Sequence, residues 1–170
     1  FRKLIKRRCQ RINKKNELFI DEAVNQFSKA YQKRYLNKTI PYEGILKLLE
    51  SLEEKGIKIA VNSNKRGDYT SALVNKYFSQ FPWTAVYGER ESEGIPKKPD
   101  PSAALEIADL MKLSKEEILY IGDSKTDMQT GQNAGMDTIG VSWGFRGRKE
   151  LEENHASYVV DHPEDILKFI

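Results

Sequence analysis

The chain has 170 residues, 39% hydrophobic and 31% charged, which suits one compact α/β domain with a small appendage. Its net charge is +3, but eight basic residues and no acidic residue lie in residues 1–16, so residues 17–170 carry a net charge of −5. The charge of this main body argues against a nucleic-acid-binding surface there, and no apolar run is long enough to cross a bilayer.

The first sixteen residues predict a helix with a solvated basic face. Phe1, Leu4, Ile5 and Ile12 lie near helical spacing among the basic side chains, so packing of this face is favoured over nucleic-acid binding. The segment has no apolar stretch of the kind found in signal peptides. Cys9 is the only cysteine, which excludes an internal disulfide and favours a reducing cytoplasm.

A long amphipathic helix is predicted next, over about Glu17–Asn37. Apolar and aromatic residues recur there every three or four positions, with basic residues between them, as expected of a helix with one packed face. Pro41 breaks the pattern. We therefore expect a helical domain over residues 1–40 and a second domain over residues 41–170.

Residues 41–170 alternate between short apolar runs and helical patterns, which predicts β-α-β units and a parallel sheet with helices on both faces. The run Ile57–Val61 is typical of a strand buried on both sides, and Gly56 is expected to end the preceding helix. The predicted strands are Ile57–Val61, Trp83–Tyr87, Ile118–Ile121, Thr138–Val141 and Tyr158–Val160, and the predicted helices are Gly44–Glu54, Asp68–Phe78, Pro101–Leu113, Asp127–Ala134 and a short helix from Pro163.

Polar residues suited to phosphate chemistry follow these strands. Ser63 and Asn64 come after the first strand, Lys98 precedes a helix, and Asp123 and Asp127 follow the run ILYI. Each motif alone fits a turn, a surface loop or a helix cap. Ligands of parallel α/β sheets bind at the carboxyl ends of the strands, so we expect these residues to meet in one site.

The residue types at this edge match the needs of phosphoryl transfer. A serine such as Ser63 can donate a hydrogen bond to a phosphoryl oxygen, and Lys98 can neutralise its charge. A carboxylate such as Asp123 is a ligand of the kind that Mg²⁺ prefers. Asp127, four residues later, can orient metal-bound waters.

The order of these motifs resembles motifs two, three and four of the haloacid dehalogenase superfamily. The residues that carry the resemblance are Ser63-Asn64, Lys98-Pro99-Asp100-Pro101, and Gly122-Asp123 with Asp127 and the trailing Ala134-Gly135; the run Gly140–Phe145 is also similar to a segment of phosphoglycolate phosphatases. The resemblance covers about residues 39–170 and implies a Rossmann-like core, whereas residues 1–38 resemble part of the family's helical cap more loosely.

The family's first motif, an Asp-x-Asp behind an apolar strand, is missing from the sequence. In the family this motif supplies the nucleophile and the general acid/base and precedes the cap. We therefore expect both to lie upstream of this chain, and residues 41–170 to form a core that lacks its first strand. In the family that strand lies between those that carry Ser63 and Asp123. Without it, the two halves of the sheet should separate, or these two strands should pair directly.

The resemblance implies a Mg²⁺-dependent phosphatase that hydrolyses a small, phosphoglycolate-like monoester through an aspartyl-phosphate. Ser63, Lys98 and Asp123 would be catalytic, Ser63, Asn64 and Lys98 would bind substrate, and Asp123 and Asp127 would serve the metal. Two alternatives stay open: a β-phosphoglucomutase-like phosphotransferase, which tends to carry an Asp where this chain has Ser102, and a non-catalytic binding protein. The partner expected is a small phosphorylated substrate in the cytoplasm, with no membrane and no nucleic acid.

Overall fold

A computed structural model describes residues 17–170, so the predictions for Cys9 and the basic face lie outside the described residues. The chain consists of two compact units, residues 1–40 and 41–170. In the first unit, helix α1 spans Glu17–Arg34 and ends three residues earlier than predicted. The rings of Phe27, Tyr31 and Tyr35 stack along it, with centroid separations of 5.7 and 5.9 Å.

The second unit alternates strands and helices in the predicted order. Its strands are β1 (Ile59–Arg66), β2 (Trp83–Glu89), β3 (Leu119–Gly122), β4 (Asp137–Val141) and β5 (Tyr158–Val160). Its α-helices are α2 (Ile45–Glu54), α3 (Gly67–Phe78), α4 (Ser102–Met111), α5 (Lys125–Ala134) and α6 (Gly147–Glu153), and short 3₁₀ helices cover Glu91–Glu93, Lys115–Glu117 and Pro163–Phe169.

All strand pairs in the described residues that form sheets are parallel, which confirms the predicted α/β class with a parallel sheet. Strand β1 pairs with β2, and the order of the remaining strands is β3-β4-β5. Each connection passes through a helix, as parallel pairing requires. Of the residues that the sequence marks as functional, Ser63 and Asn64 lie in β1, Asp123 and Asp127 follow β3, and Lys98 lies in the loop before α4.

Strands β1 and β3 belong to separate sheets and are not paired with each other in the described residues. Direct pairing, one of the two outcomes expected for a core without a first strand, does not occur. The other outcome, separation into two halves, agrees with the observed topology. The assignment of residues 1–40 to a cap and of residues 41–170 to a shortened core stays a prediction.

Apolar packing joins the helices to the sheets. The largest core cluster consists of buried Leu48, Leu49, Leu52, Phe81, Ile139, Val141, Val160 and Ile166. Full burial of such a side chain contributes roughly 1.5–3 kcal/mol, so this cluster holds α2 and the C-terminal 3₁₀ helix on the β4–β5 side. No helix in residues 17–170 has the length and apolar character to span a membrane.

The element boundaries differ from prediction mainly at β1. The predicted strand stops at Val61, but β1 continues to Arg66 because the chain still pairs there, Arg66 with Glu89, after an irregularity in the register. Ser63 and Asn64 therefore lie inside the strand rather than after it. Helix α6 was not predicted. Gly56 has a φ of +68° just after α2, as predicted for a helix end.

Candidate active site

Asp127 is a buried carboxylate in the first turn of α5, and both of its oxygens are engaged. Ser124 donates its backbone N–H and its hydroxyl to Oδ2, at 3.1 and 2.6 Å. This is a capping box, with Ser124 as the N-cap. Lys98 Nζ donates to Oδ1 at 2.7 Å. The carboxylate thus ties the start of α5 to the lysine.

Close backbone packing fixes the position of Asp127 relative to β3. A Cβ atom placed on Gly122 would lie 2.2 Å from Asp127 Cβ and 2.4 Å from its Cγ. Separations that short do not occur between real side chains, so only glycine fits at position 122 beside Asp127. The strand end, the turn and the first helical turn are therefore one tightly packed structure.

Lys98 is held at both its side chain and its backbone. Its ammonium also donates to Asn62 O of β1 at 2.9 Å, and only 13% of its side chain is exposed. Its backbone N–H donates to Asn64 Oδ1 at 2.8 Å, while Asn64 Nδ2 donates to Lys98 O at 3.0 Å. The Lys98–Pro99 peptide bond is cis. One amide side chain therefore pairs with both backbone polar groups of Lys98.

Ser63 lies on the other face of β1. Its Oγ accepts a hydrogen bond from Lys65 N at 3.1 Å, and Ser63 lines, with Val61, Lys65 and side chains of α2 and α3, an apolar cavity of about 300 Å³. Side chains alternate between the faces of a strand, so Asn62 and Asn64 face Tyr120 and Lys98 instead. The structure brings Asn64, Lys98 and Asp127 into direct contact but not Ser63.

Asp123 follows β3, and its carboxylate is partly buried. The backbone N–H of Phe145 donates to Asp123 Oδ2 at 2.9 Å. A Cβ atom on Gly144 would lie 2.2 Å from Asp123 Cβ and 2.4 Å from Oδ2, so the loop after β4 packs directly on the aspartate. Asp123 therefore sits in the gap between this loop and the Gly122–Asp127 turn.

The donor set suits Mg²⁺ only in part. Asp123 supplies a hard oxygen ligand at the strand end, and Mg²⁺ commonly takes one or two carboxylates together with waters and substrate phosphate oxygens. The oxygens of Asp127 already accept bonds from Lys98 and Ser124. Within residues 17–170 no group of three His, Cys, Asp or Glu side chains is placed to hold a metal. Asp123 thus fits as one ligand, and the metal roles of both aspartates stay predictions.

Sequence reasoning missed a polar link between the two sheets. Asn62 Nδ2 of β1 donates to the hydroxyl of Tyr120 of β3 at 3.1 Å. Burial raises the pKa of Tyr120 far above its ordinary value, and the negative charge of Asp127 acts in the same direction. The phenol therefore remains a neutral hydrogen-bonding group. A tyrosine inside an otherwise apolar strand was the signal that could have revealed it.

A second network that the sequence did not reveal supports the segment leading to Lys98. Arg90 donates to both carboxylate oxygens of Glu106, at 3.0 and 2.9 Å, and to Glu93 at 2.8 Å. The Tyr87 hydroxyl donates to Glu106 at 2.7 Å. These bonds from Tyr87 and Arg90 lower the pKa of Glu106. The network fastens the end of β2 to α4, on either side of the loop that carries Lys98.

Lys97 and Lys98, although adjacent, have different surroundings. The Lys97 side chain is 40% exposed, and its ammonium pairs with Glu89 at 2.9 Å and with Glu91. The hydrogen bonds that the Lys97 ammonium donates, to Glu91 first and then to Glu89, raise the pKa of Lys97. Lys98 reaches the strand ends, as predicted. Lys98 therefore binds Asn62 and Asp127, whereas Lys97 binds acidic side chains at and just after the end of β2.

A protein-family model described as haloacid dehalogenase-like hydrolase matches residues 3–141. Among curated proteins, the chain is 31% identical over 144 residues to a phosphoglycolate phosphatase of Psychrobacter arcticus; the match covers 84% of this chain and 61% of that protein. It is 32% identical over 130 residues to the pyrophosphatase PpaX of Bacillus mycoides; this match covers 76% of the chain and 59% of that protein. The chain thus spans about 60% of the length of these relatives.

A solved structure from Lactobacillus delbrueckii subsp. bulgaricus, of a protein provisionally assigned as a phosphoglycolate phosphatase, has the same fold. The two chains superpose with a TM-score of 0.83 at 35% sequence identity, over 91% of this chain and 63% of the other. The agreement includes the Rossmann-like α/β arrangement predicted from the sequence.

Proposed function

The chain belongs to the haloacid dehalogenase-like hydrolases, and we propose that the protein containing it is a Mg²⁺-dependent phosphatase acting on a small phosphate monoester such as phosphoglycolate. The observation that carries this proposal is the buried contact of Lys98 with Asp127 beside Asp123, at the adjacent ends of β1 and β3. A cation and a hard carboxylate at one strand edge are what a phosphoryl group requires.

The proposed roles follow from the surroundings of each residue. Lys98 neutralises the phosphoryl oxygens as negative charge develops, and Asp127 holds the ammonium in place through its 2.7 Å contact. Asp123 would be the carboxylate ligand of Mg²⁺, and Asp127 would act on the metal through water. Bound Mg²⁺ would supply further charge neutralisation at the phosphoryl group. Ser63 and Asn64 are assigned to substrate binding; for Ser63 this requires the end of β1 to rearrange, because its side chain lies on the strand face opposite Asn64 and Lys98 and accepts a hydrogen bond from Lys65 N.

The nucleophile is proposed to be an aspartate outside this chain, because the sequence contains no Asp-x-Asp. Its carboxylate oxygen would bond to phosphorus while the bond from phosphorus to the alcohol oxygen breaks, and the general acid of the same motif would protonate the leaving alcohol. Water would then hydrolyse the aspartyl-phosphate to inorganic phosphate and restore the carboxylate. Residues 1–170 alone should therefore be inactive.

The domain organisation belongs to the same proposal. Residues 1–40 would be part of a helical cap, the element expected to select the substrate. Residues 41–170 would be the core without its first strand, which would lie between β1 and β3. The separation of the described strands into two sheets supports this arrangement. The single cysteine supports a cytoplasmic location.

Other substrates are compatible with the same site. A relative named as a pyrophosphatase is 32% identical, so inorganic pyrophosphate is a second candidate. The phosphoglucomutase-like alternative is disfavoured because Ser102 stands where that type tends to carry an aspartate; here Ser102 donates to Asp100 through its backbone N–H and its hydroxyl, at 2.9 and 2.6 Å.

The test is phosphate release by the full-length protein from phosphoglycolate, pyrophosphate, glucose 1-phosphate and an aryl phosphate, with Mg²⁺ and with a chelator. We expect hydrolysis that needs Mg²⁺ and is fastest with a small monoester. A folded protein that releases phosphate from none of them would contradict the proposal and favour a binding protein. Sustained turnover by purified residues 1–170 would refute the external nucleophile alone.

A further inference from the structure

The loop between β4 and α6 touches the Asp123 side chain with its backbone. Gly144 leaves so little space that a Cβ atom there would lie 2.2 Å from Asp123 Cβ. The next residue, Phe145, donates its N–H to Asp123 Oδ2 at 2.9 Å. The loop therefore places one hydrogen-bond donor on one oxygen of this carboxylate.

The loop is fixed at its beginning by contacts that do not involve Asp123. Ser142 N donates to Val160 O at 3.0 Å, which continues the pairing of β4 with β5. Ser142 Oγ donates to Asp161 Oδ1 at 2.5 Å, and Arg148 donates to Asp161 Oδ2 at 2.8 Å. Hydrogen bonds from Ser142 and Arg148 lower the pKa of Asp161. The charged Asp161 thus links the first residue of the loop to α6.

The side chains of the loop show which of its atoms matter at Asp123. Trp143 packs against the main apolar cluster, which adds a second anchor. The Phe145 side chain is directed outwards, and the residue is 90% exposed. Burial of the Phe145 side chain therefore does not determine its position. The contact that Phe145 makes here is the hydrogen bond from its backbone N–H to Asp123.

We propose that Gly144 and Phe145 form a backbone clamp that positions Asp123, with Ser142 and Asp161 as its support. The N–H of Phe145 holds Oδ2, which directs the other oxygen to a divalent cation. This inference rests on the proposed function, because it concerns the same metal site. The residues of the clamp act through Asp123 and touch neither metal nor substrate, so they are positioning residues. Loss of such an outer contact typically weakens metal binding about 10–100-fold.

The test is the dissociation constant of Mg²⁺ for the full-length protein, measured by titration calorimetry, together with the thermal melting temperature. Gly144→Ala adds a methyl group where Asp123 lies and should weaken Mg²⁺ binding at least 10-fold. Gly67→Ala is the matched control, because a Cβ atom there meets nothing within 4 Å. Phe145→Ala keeps the N–H and should bind Mg²⁺ as the wild type does.

A Gly144→Ala protein with native melting temperature and unchanged Mg²⁺ affinity would overturn the clamp, as would a Phe145→Ala protein weakened equally. If Gly144→Ala does not fold, Ser142→Ala decides: it removes the Oγ bond to Asp161 without adding atoms, and a several-fold loss of affinity supports the clamp while no loss overturns it. A folded wild type that binds no Mg²⁺ would refute the metal part of the proposed function and this inference with it.

Discussion

Lys98 Nζ lies 2.7 Å from Asp127 Oδ1, and only 13% and 9% of the two side chains are exposed. The two residues are 29 positions apart, and they join the loop before α4 to the first turn of α5. Because both charges are nearly removed from water, each depends on the other: a buried charge without its partner is strongly destabilising. This pair therefore stabilises the fold and also fixes the orientation of the Lys98 ammonium.

Replacing Lys98 should affect both rate and stability. Lys98→Ala in the full-length protein should lower the rate of phosphate release on the order of 10²–10³-fold, because a charge on the transferring group is lost. It should also lower the free energy of unfolding by about 3–5 kcal/mol, since Asp127 loses its partner. Lys97→Ala is the control, because the partly exposed ion pairs of Lys97 with Glu89 and Glu91 are worth about 0–1 kcal/mol each. If Lys97→Ala were the more damaging, the catalytic lysine would have been misassigned.

Substitutions of Asp123 and of Ser124 should have different effects, the first on metal binding and the second on the capping of α5. Asp123→Asn should raise the Mg²⁺ concentration needed for half-maximal activity strongly, because it removes the proposed carboxylate ligand. Ser124→Ala removes a donor to Asp127 and should cost about 1 kcal/mol of stability with little change in Mg²⁺ requirement. Activity as a function of Mg²⁺ concentration and urea unfolding measure the two effects. An equal metal response in both variants would rule the ligand assignment out.

The hydroxyl of Tyr120 should contribute to stability through its link with Asn62. Tyr120→Phe keeps the ring in the core but removes a hydrogen bond between β1 and β3, which typically costs about 0.5–1.5 kcal/mol. Urea unfolding of the full-length protein at neutral pH measures the difference. Tyr158→Phe is the control, since Tyr158 is 44% exposed. A loss no larger than that of the control would mean that this link does not stabilise the protein.

The contribution of Glu106 to the stability of the folded protein should be lost in acid. The bonds from Tyr87 and Arg90 lower its pKa in the folded state, so its contribution is fully present above the ordinary glutamate pKa of about 4.3 and is lost as the pH falls through the lower folded value. Glu106→Gln should therefore be less stable than the wild type at pH 7, and the gap should shrink below about pH 4. The exposed position Glu54, changed to Gln, serves as control; a gap independent of pH would contradict this.

The sequence predicted the element order because hydrophobic runs and helix-ending glycines are local signals. It also placed Lys98 and Asp127 at one sheet edge, because parallel strands bring their carboxyl ends together. It could not predict the pairing of Asn64 with the Lys98 backbone, since that contact depends on the path of a loop 34 residues away. It ended β1 too early because residues after Val61 are polar, although pairing with β2 continues. The contact of Phe145 N–H with Asp123 could not be predicted from the sequence either, because every residue except proline has a backbone N–H.

The close packing of Gly122 on Asp127 has a consequence for how this protein can evolve. A side chain at position 122 would displace the carboxylate that holds Lys98, so a mutation there would be felt 24 positions away along the chain. A smaller residue at position 127 would restore the space, but it would also remove the carboxylate that pairs with Lys98. Positions 98, 122 and 127 are therefore structurally coupled, and a substitution at position 122 is expected to be tolerated only together with changes at the other two.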